Sequence, residues 1–201
     1  MSALVVWEGA FGKAVAQAVR RETDDVFVVD PGGYRDAIAR ANCVVFVSWR
    51  SSDATATALA GAAYDAGVPF FPVQLDNRVM VIGPLFDAGG PCYRCFRARY
   101  LTHAPGADRQ QLLWKLYADD PSAGVAGFTP SMVRIASAAA LSAIAAPSAD
   151  PTVRWFDVLT GDLTGSEIVA VHACPGPHDR EAGGERFVTA LEALLDERLE
   201  R

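Results

Sequence analysis

Cys92 and Cys95 form a C-x-x-C pair in the stretch GPLFDAGGPCYRCFRAR, residues 83–99. Two thiolates at this spacing reach one edge of a tetrahedral metal, and zinc favours sulfur and imidazole ligands. The same pair can serve as a redox dithiol, a use that goes with a strand running directly into a helix. Here Gly83-Pro84, Gly89-Gly90 and Pro91 come first, and Arg94, Arg97 and Arg99 flank the pair. The residue types favour structural zinc; metal-free cysteines and a redox pair are the other readings. A zinc site needs a second half. Residues 172–178, HACPGPH, offer Cys174 and His178.

A second candidate for chemistry lies at the start of the chain. A dinucleotide turn reads G-x-G-x-x-G between a strand and a helix. Residues 7–12 read WEGAFG, so Gly9 and Gly12 stand in register while Trp7 takes the first glycine's place. Glu8 puts a negative charge where phosphates would lie. Asp30 ends the next apolar run, where a ribose-binding acid belongs. The two readings are a degenerate turn with a capping Asp30, or a working nucleotide site.

The elements that would position these residues follow from periodicity. Short apolar runs at 4–7, 26–30, 43–49, 68–75 and 79–82 read as strands, the fourth broken by Pro69 and Pro72. Helical patterns cover 13–21, 34–41 and 53–66, the last stopped by Gly67. Alternation of this kind predicts a doubly wound, mostly parallel Rossmann-like sheet with flanking helices. Beyond the cysteines, helices are expected over 110–117 and from Pro130 or Ser131 to about Ala146. Strands at 153–159 and 168–172, joined through Thr160-Gly161-Asp162, would extend the sheet in antiparallel fashion. The expected fold class is thus α/β, with a zinc-clipped C-terminal segment. Domain one spans 1–182; residues 183–201 form a surface helix with Phe187, Leu191, Leu194 and Leu195 on one face.

A net charge of -6 argues against a nucleic-acid partner bound by the surface at large. No apolar run reaches membrane length, and the start of the chain does not read as a secretory signal. With only four cysteines and no disulfide pattern, a cytoplasmic location is expected. Cys43 opens an apolar strand and reads as a buried small hydrophobe. His103 reads as a solvated loop residue, and Trp114 with Tyr117 as core or interface. Arg94, Arg97 and Arg99 read either as a solvated face or as a docking patch for an acidic peptide.

The order of motifs resembles the ThiF-like, ubiquitin-activating-enzyme-like superfamily. Within it the chain is most similar to the cyclodehydratase partner proteins of YcaO-dependent azole and azoline peptide biosynthesis. The residues that carry this are GVPFFPV at 67–73, IGPL at 82–85 and PCYRCFRAR at 91–99. The resemblance spans roughly residues 3 to 178. It implies a non-catalytic partner of a YcaO-type enzyme that cyclises Cys, Ser or Thr of a precursor peptide. It also implies structural zinc, with no ATP chemistry on this chain.

Three departures qualify it. Pro177 takes the second cysteine place of the family's final C-x-x-C, and His178 follows it, so the ligand set becomes Cys92, Cys95, Cys174 and His178, with His172 as rival. A leader-recognition domain is expected to be separate or absent. Of the residues that adenylating members place around ATP, only Arg50 and Asp53 have counterparts after the third strand. The alternative function is adenylation of a carboxylate or peptide C-terminus. The small residues of the helix after Pro130 also suit close packing, which leaves a homodimer open.

Overall fold

A computed structural model describes residues 2–87, 89–103, 106–148, 150–172 and 174–176. The expected helix at 183–201 lies outside these residues. In chain order the elements are β1 (Ser2–Glu8), α1 (Gly9–Glu22), β2 (Val26–Val29), α2 (Arg35–Ile38), β3 (Ala41–Ser48), α3 (Asp53–Asp65) and β4 (Phe70–Asp76). Then follow β5 (Val79–Ile82), α4 (Tyr93–His103), α5 (Ala107–Asp119), α6 (Pro130–Ala145), β6 (Thr152–Asp157) and β7 (Leu163–Glu167). No helix among the described residues is long and apolar enough to cross a membrane.

The strands form one sheet in the order β2-β1-β3-β4-β5-β6-β7. The first four are parallel, as the alternation of strand and helix requires. β5 is antiparallel to β4. Only Asn77 and Arg78 separate them, with Asn77 at φ 58°, and two residues make a hairpin rather than a crossover. β4 runs unbroken through Pro72, which pairs with Phe46 of β3. The β5 ladder begins only at Val73 opposite Ile82.

The end of the sheet departs from the sequence expectation. The last strand is Leu163–Glu167, not 168–172. β7 is polar and exposed along its length, so it carries no hydrophobic signature. The apolar run that follows it leaves the sheet and crosses to α4.

Side-chain alternation along β1 and β3 splits the interior into two layers. Val5, Val45 and Val47 meet Phe11, Val15 and Val19 of α1 and Ala136 and Ala140 of α6. Leu4, Val6 and Phe46 meet Leu59 of α3 and Tyr93 and Phe96 of α4. Each fully buried Phe or Leu contributes about 1.5–3 kcal/mol. α3 ends in a Schellman motif: Val68 N–H donates to Ala63 O at 2.9 Å, Gly67 N–H to Tyr64 O at 2.9 Å, and Gly67 has φ 68°.

Gly12 is fixed by packing. A Cβ there would collide with the backbone carbonyl of Val47, which cannot move without breaking β3. Gly12→Ala should therefore cost about 2–3 kcal/mol, read as a lower urea midpoint at unchanged slope. An unchanged midpoint would show that α1 can slide away from β3.

Candidate metal centre and the filled glycine-turn crevice

The C-x-x-C does open a helix, although a nine-residue link, 83–91, separates it from β5. Cys92 lies just before α4 and its carbonyl accepts from Cys95 N–H (2.9 Å) and Phe96 N–H (3.2 Å). Tyr93, Phe96 and Tyr100 anchor the helix; Tyr93 meets Phe70 edge-on at 6.1 Å, and Tyr100 stacks on Trp114 at 6.1 Å. Segment 168–174 then runs back over α4. Arg99 Nε and Nη2 donate to Val169 O and Ala170 O, both at 3.4 Å. This delivers Cys174 to the other two cysteines.

Cys92 Sγ lies 3.8 Å from Cys95 Sγ and 3.8 Å from Cys174 Sγ, and all three side chains are buried. Sulfurs about 2.3 Å from a tetrahedral centre lie about 3.8 Å apart, so the spacing fits three corners of a thiolate zinc site. Backbone donors already face the sulfurs: Val171 N–H points to Cys95 Sγ and Gly176 N–H to Cys174 Sγ, each at 3.3 Å. The Cys92 thiol and the Val171 N–H lower the Cys95 pKa, while its own hydrogen bond to Cys95 and burial raise that of Cys92. Both shifts favour ionisation of Cys95 ahead of Cys92, and a bound metal would displace thiol protons from the group.

The buried three-cysteine group can thus bind a metal such as zinc. His172 is exposed and does not join the sulfur group. His178 lies outside the described residues. Val171 and Gly176 were missed from sequence. The Pro175-Gly176 pair was the available signal for Gly176, because a Cβ there would collide with Cys92 Sγ. Cys43 is fully buried in the core, where burial pushes its thiol up to about 12.

The three arginines do not form one patch. Arg97 Nε sits 2.8 Å from Asp53 Oδ1, an ion pair off the hydrogen-bond axis, and its guanidinium lies 5.0 Å from the Trp114 ring. Arg99 is committed to backbone carbonyls; Arg94 alone is exposed. Long side chains on a helix diverge by 100° per residue, which the linear spacing conceals. His103 is the exposed last residue of α4.

The glycine turn of residues 9–12 sits where β1 and β3 part, the usual ligand crevice of such sheets. Gly9 begins α1 at φ 71°, and Gly12 faces β3. Asp30 is exposed after β2, and its Oδ1 accepts from Gly32 N–H at 2.8 Å, a turn-capping role. Trp7 is not the obstruction: it faces the α1 side, with Lys13 Nζ 5.5 Å from its ring. Trp49 is. Its indole is clamped between Gly9, where any Cβ would collide with it, and Gly124, where a Cβ would stand 2.7 Å from the ring.

Arg50 closes the crevice. It is 6% exposed and donates from Nη1 to Asp120 O (3.0 Å) and Ala123 O (2.6 Å), and from Nε to Glu8 Oε1 (3.4 Å). The rings of Trp49 and Tyr117 flank it at 5.3 and 5.1 Å. Arg50 and Asp53 are therefore both engaged within the chain.

No protein-family model matches the sequence, and no curated protein matches it. Solved structures do match. The heterocyclase TruD superposes with a TM-score of 0.60 at 19% identity, covering 90% of this chain and 28% of that one. A chain of the E. coli microcin synthetase McbBCD complex gives 0.62 at 13% identity, covering 87% and 68%. E. coli MccB gives 0.52 at 14% identity, covering 89% and 65%, and is also matched in a form solved with ATP. The fold is therefore the one that these matched chains share. The chain spans about a quarter of the length of the heterocyclase chains it matches.

Proposed function

We propose that this chain is a non-catalytic, cytoplasmic ThiF-like partner of a YcaO-type cyclodehydratase, which forms azolines from Cys, Ser and Thr of a precursor peptide. The observation that carries this reading is the crevice filled by Trp49, Arg50 and loop 120–129, on a fold shared with a heterocyclase. A domain with its own phosphate turn filled is suited to holding a partner, and the ATP chemistry falls to that partner. Zinc on Cys92, Cys95 and Cys174, with His178 as fourth ligand, would be structural. Four protein ligands leave no position for water. Leader recognition would come from a separate domain.

Likeness to MccB, matched in a form solved with ATP, favours a second reading, adenylation of a carboxylate or peptide C-terminus. Calorimetry and ATP–pyrophosphate exchange on the isolated chain separate the two. The partner reading expects neither ATP heat nor exchange. Micromolar ATP affinity with exchange would replace it by adenylation. Co-expression with a YcaO enzyme and its precursor should give loss of one water per ring formed, and omitting this chain should abolish or slow that loss.

A further inference from the structure

We propose that β7 is a docking edge that adds an eighth strand from another polypeptide, an extended segment apolar in its middle and basic at its ends. β6 and β7 pair antiparallel, with Arg154 opposite Gly165. Asp157 N–H donates to Asp162 O, and Ile168 N–H to Pro151 O, both at 2.9 Å. Hydrogen-bonded and non-hydrogen-bonded pairs alternate along such a ladder. Thr164 and Ser166 therefore turn their backbone groups to β6, while Leu163, Gly165 and Glu167 turn theirs outward. Those outward groups have no strand partner among the described residues.

Edge strands are normally shielded by lysines, prolines or bulges. β7, LTGSE, has none of these. Its surroundings are apolar instead: Leu159, Leu163 and Val169 are 75%, 60% and 63% exposed. A hollow flanks the hairpin on each face. On the α4 side a groove of about 540 Å³ includes Trp155, Tyr100 and Ile168. On the α6 side one of about 720 Å³ includes Phe156, Ile82 and Leu163. A strand laid along β7 would send alternate side chains into the two hollows.

The residue opposite Gly165 meets a notch beside Leu163 and Phe156, which suits an aromatic ring. Its two neighbours face the Trp155 groove. There Arg99 is tied to Val169 O and Ala170 O, and His103 ends α4.

Charge selects the occupant. Asp162 and Glu167 bracket β7, and neither has an ion-pair partner among the described residues. A second copy paired antiparallel about Gly165 would set each Asp162 opposite the other copy's Ile168 and each Glu167 opposite its Leu163, so that neither acid meets a counter-ion, between chains of net charge -6. Covering unpaired carboxylates with apolar residues opposes self-pairing. A lysine at one end of the incoming strand lies opposite Asp162, and a lysine at the other end lies one position beyond the residue opposite Glu167.

The probe is a fluorescein-labelled heptapeptide, Lys-Thr-Val-Phe-Val-Thr-Lys, with blocked ends, followed by fluorescence polarisation. Gly165→Pro removes the outward N–H but none that serves β6, and edge strands tolerate proline. Gly165→Ala keeps the N–H, and its Cβ would find only contacts of 3.4 Å or longer.

Wild type should bind with sub-millimolar affinity, Gly165→Ala within about threefold of it, and Gly165→Pro at least about tenfold more weakly. Replacing both lysines by glutamate should weaken binding, with the difference shrinking in high salt. The amides of Leu163, Gly165 and Glu167 should exchange fast in the free protein and slowly with peptide. Those of Thr164 and Ser166 should be slow in both. The proposal falls if wild type and a folded Gly165→Pro bind alike, or if neither binds. It also falls if the three outward amides are slow without peptide, or if the protein is a dimer that Gly165→Pro dissociates.

Discussion

Cys95→Ser should drop zinc from about one ion per chain to near zero and lower the melting temperature by roughly 10 °C or more. The size follows from chain topology. Cys92 and Cys174 are 82 residues apart, and a metal held by both closes that loop. A cross-link over such a loop removes chain entropy from the unfolded state worth about 4.5 kcal/mol. The loop encloses α4, α5, α6, β6 and β7, so a metal clip would constrain every element after the β4–β5 hairpin. Removing one thiolate also leaves Val171 N–H without its sulfur acceptor. A chelator should bring wild type down to the melting point of Cys95→Ser and leave the variant unmoved.

Cys43→Ser separates zinc loss from simple destabilisation. It buries a hydroxyl in the core and costs about 1–3 kcal/mol, yet should leave zinc content intact. His178→Ala should lower zinc affinity more than His172→Ala, since His172 is exposed away from the sulfurs. Wild type purified without chelators and free of zinc would overturn the metal reading. A Cys92–Cys95 disulfide in that preparation would put the redox reading in its place.

The parallel half of the fold was legible because its strands are buried on both faces and read as unbroken apolar runs. β3, ANCVVFVS, is the clearest case. β7 was illegible for the opposite reason: an exposed edge needs no apolar residue, and the run after it, bound for the cysteines, mimics a strand. The direction of β5 was readable in the length of its connection, since two residues exclude a crossover. Cys92, Cys95 and Cys174 stood out by type and spacing, because few other residue types bind zinc.

Trp49 and Arg50 were harder. The motif register drew attention to Trp7, but alternation along β1 turns that indole towards α1. The residues that fill the crevice come from the end of β3 and from a loop seventy positions further on, a contact no local pattern encodes.

Arg50→Met should cost about 3 kcal/mol, a fall of roughly 6–12 °C in melting temperature, and should free loop 120–129 for protease cleavage. Methionine keeps most of the buried stem but removes the charge and all five donors. Asp120 O and Ala123 O would each lose a charge-assisted hydrogen bond, and Glu8 would lose its counter-ion. Glu8 Oε2 already has no partner among the described residues, so that carboxylate would stand in the crevice uncompensated. Arg50→Lys should recover little, because one ammonium cannot reproduce a planar fork aimed at two carbonyls and a carboxylate.

The variant also tests why the crevice would reject nucleotide. If occlusion by the loop is the only obstacle, Arg50→Met should gain ATP binding in calorimetry. If the turn itself is unfit, with Trp49 over Gly9 and Glu8 beside it, the opened variant should still give no heat. The second outcome is expected, because Trp49 is held by Gly9 on the side that the loop does not touch. A melting point within a degree of wild type and an uncut loop would instead show that Arg50 is not what holds the crevice shut.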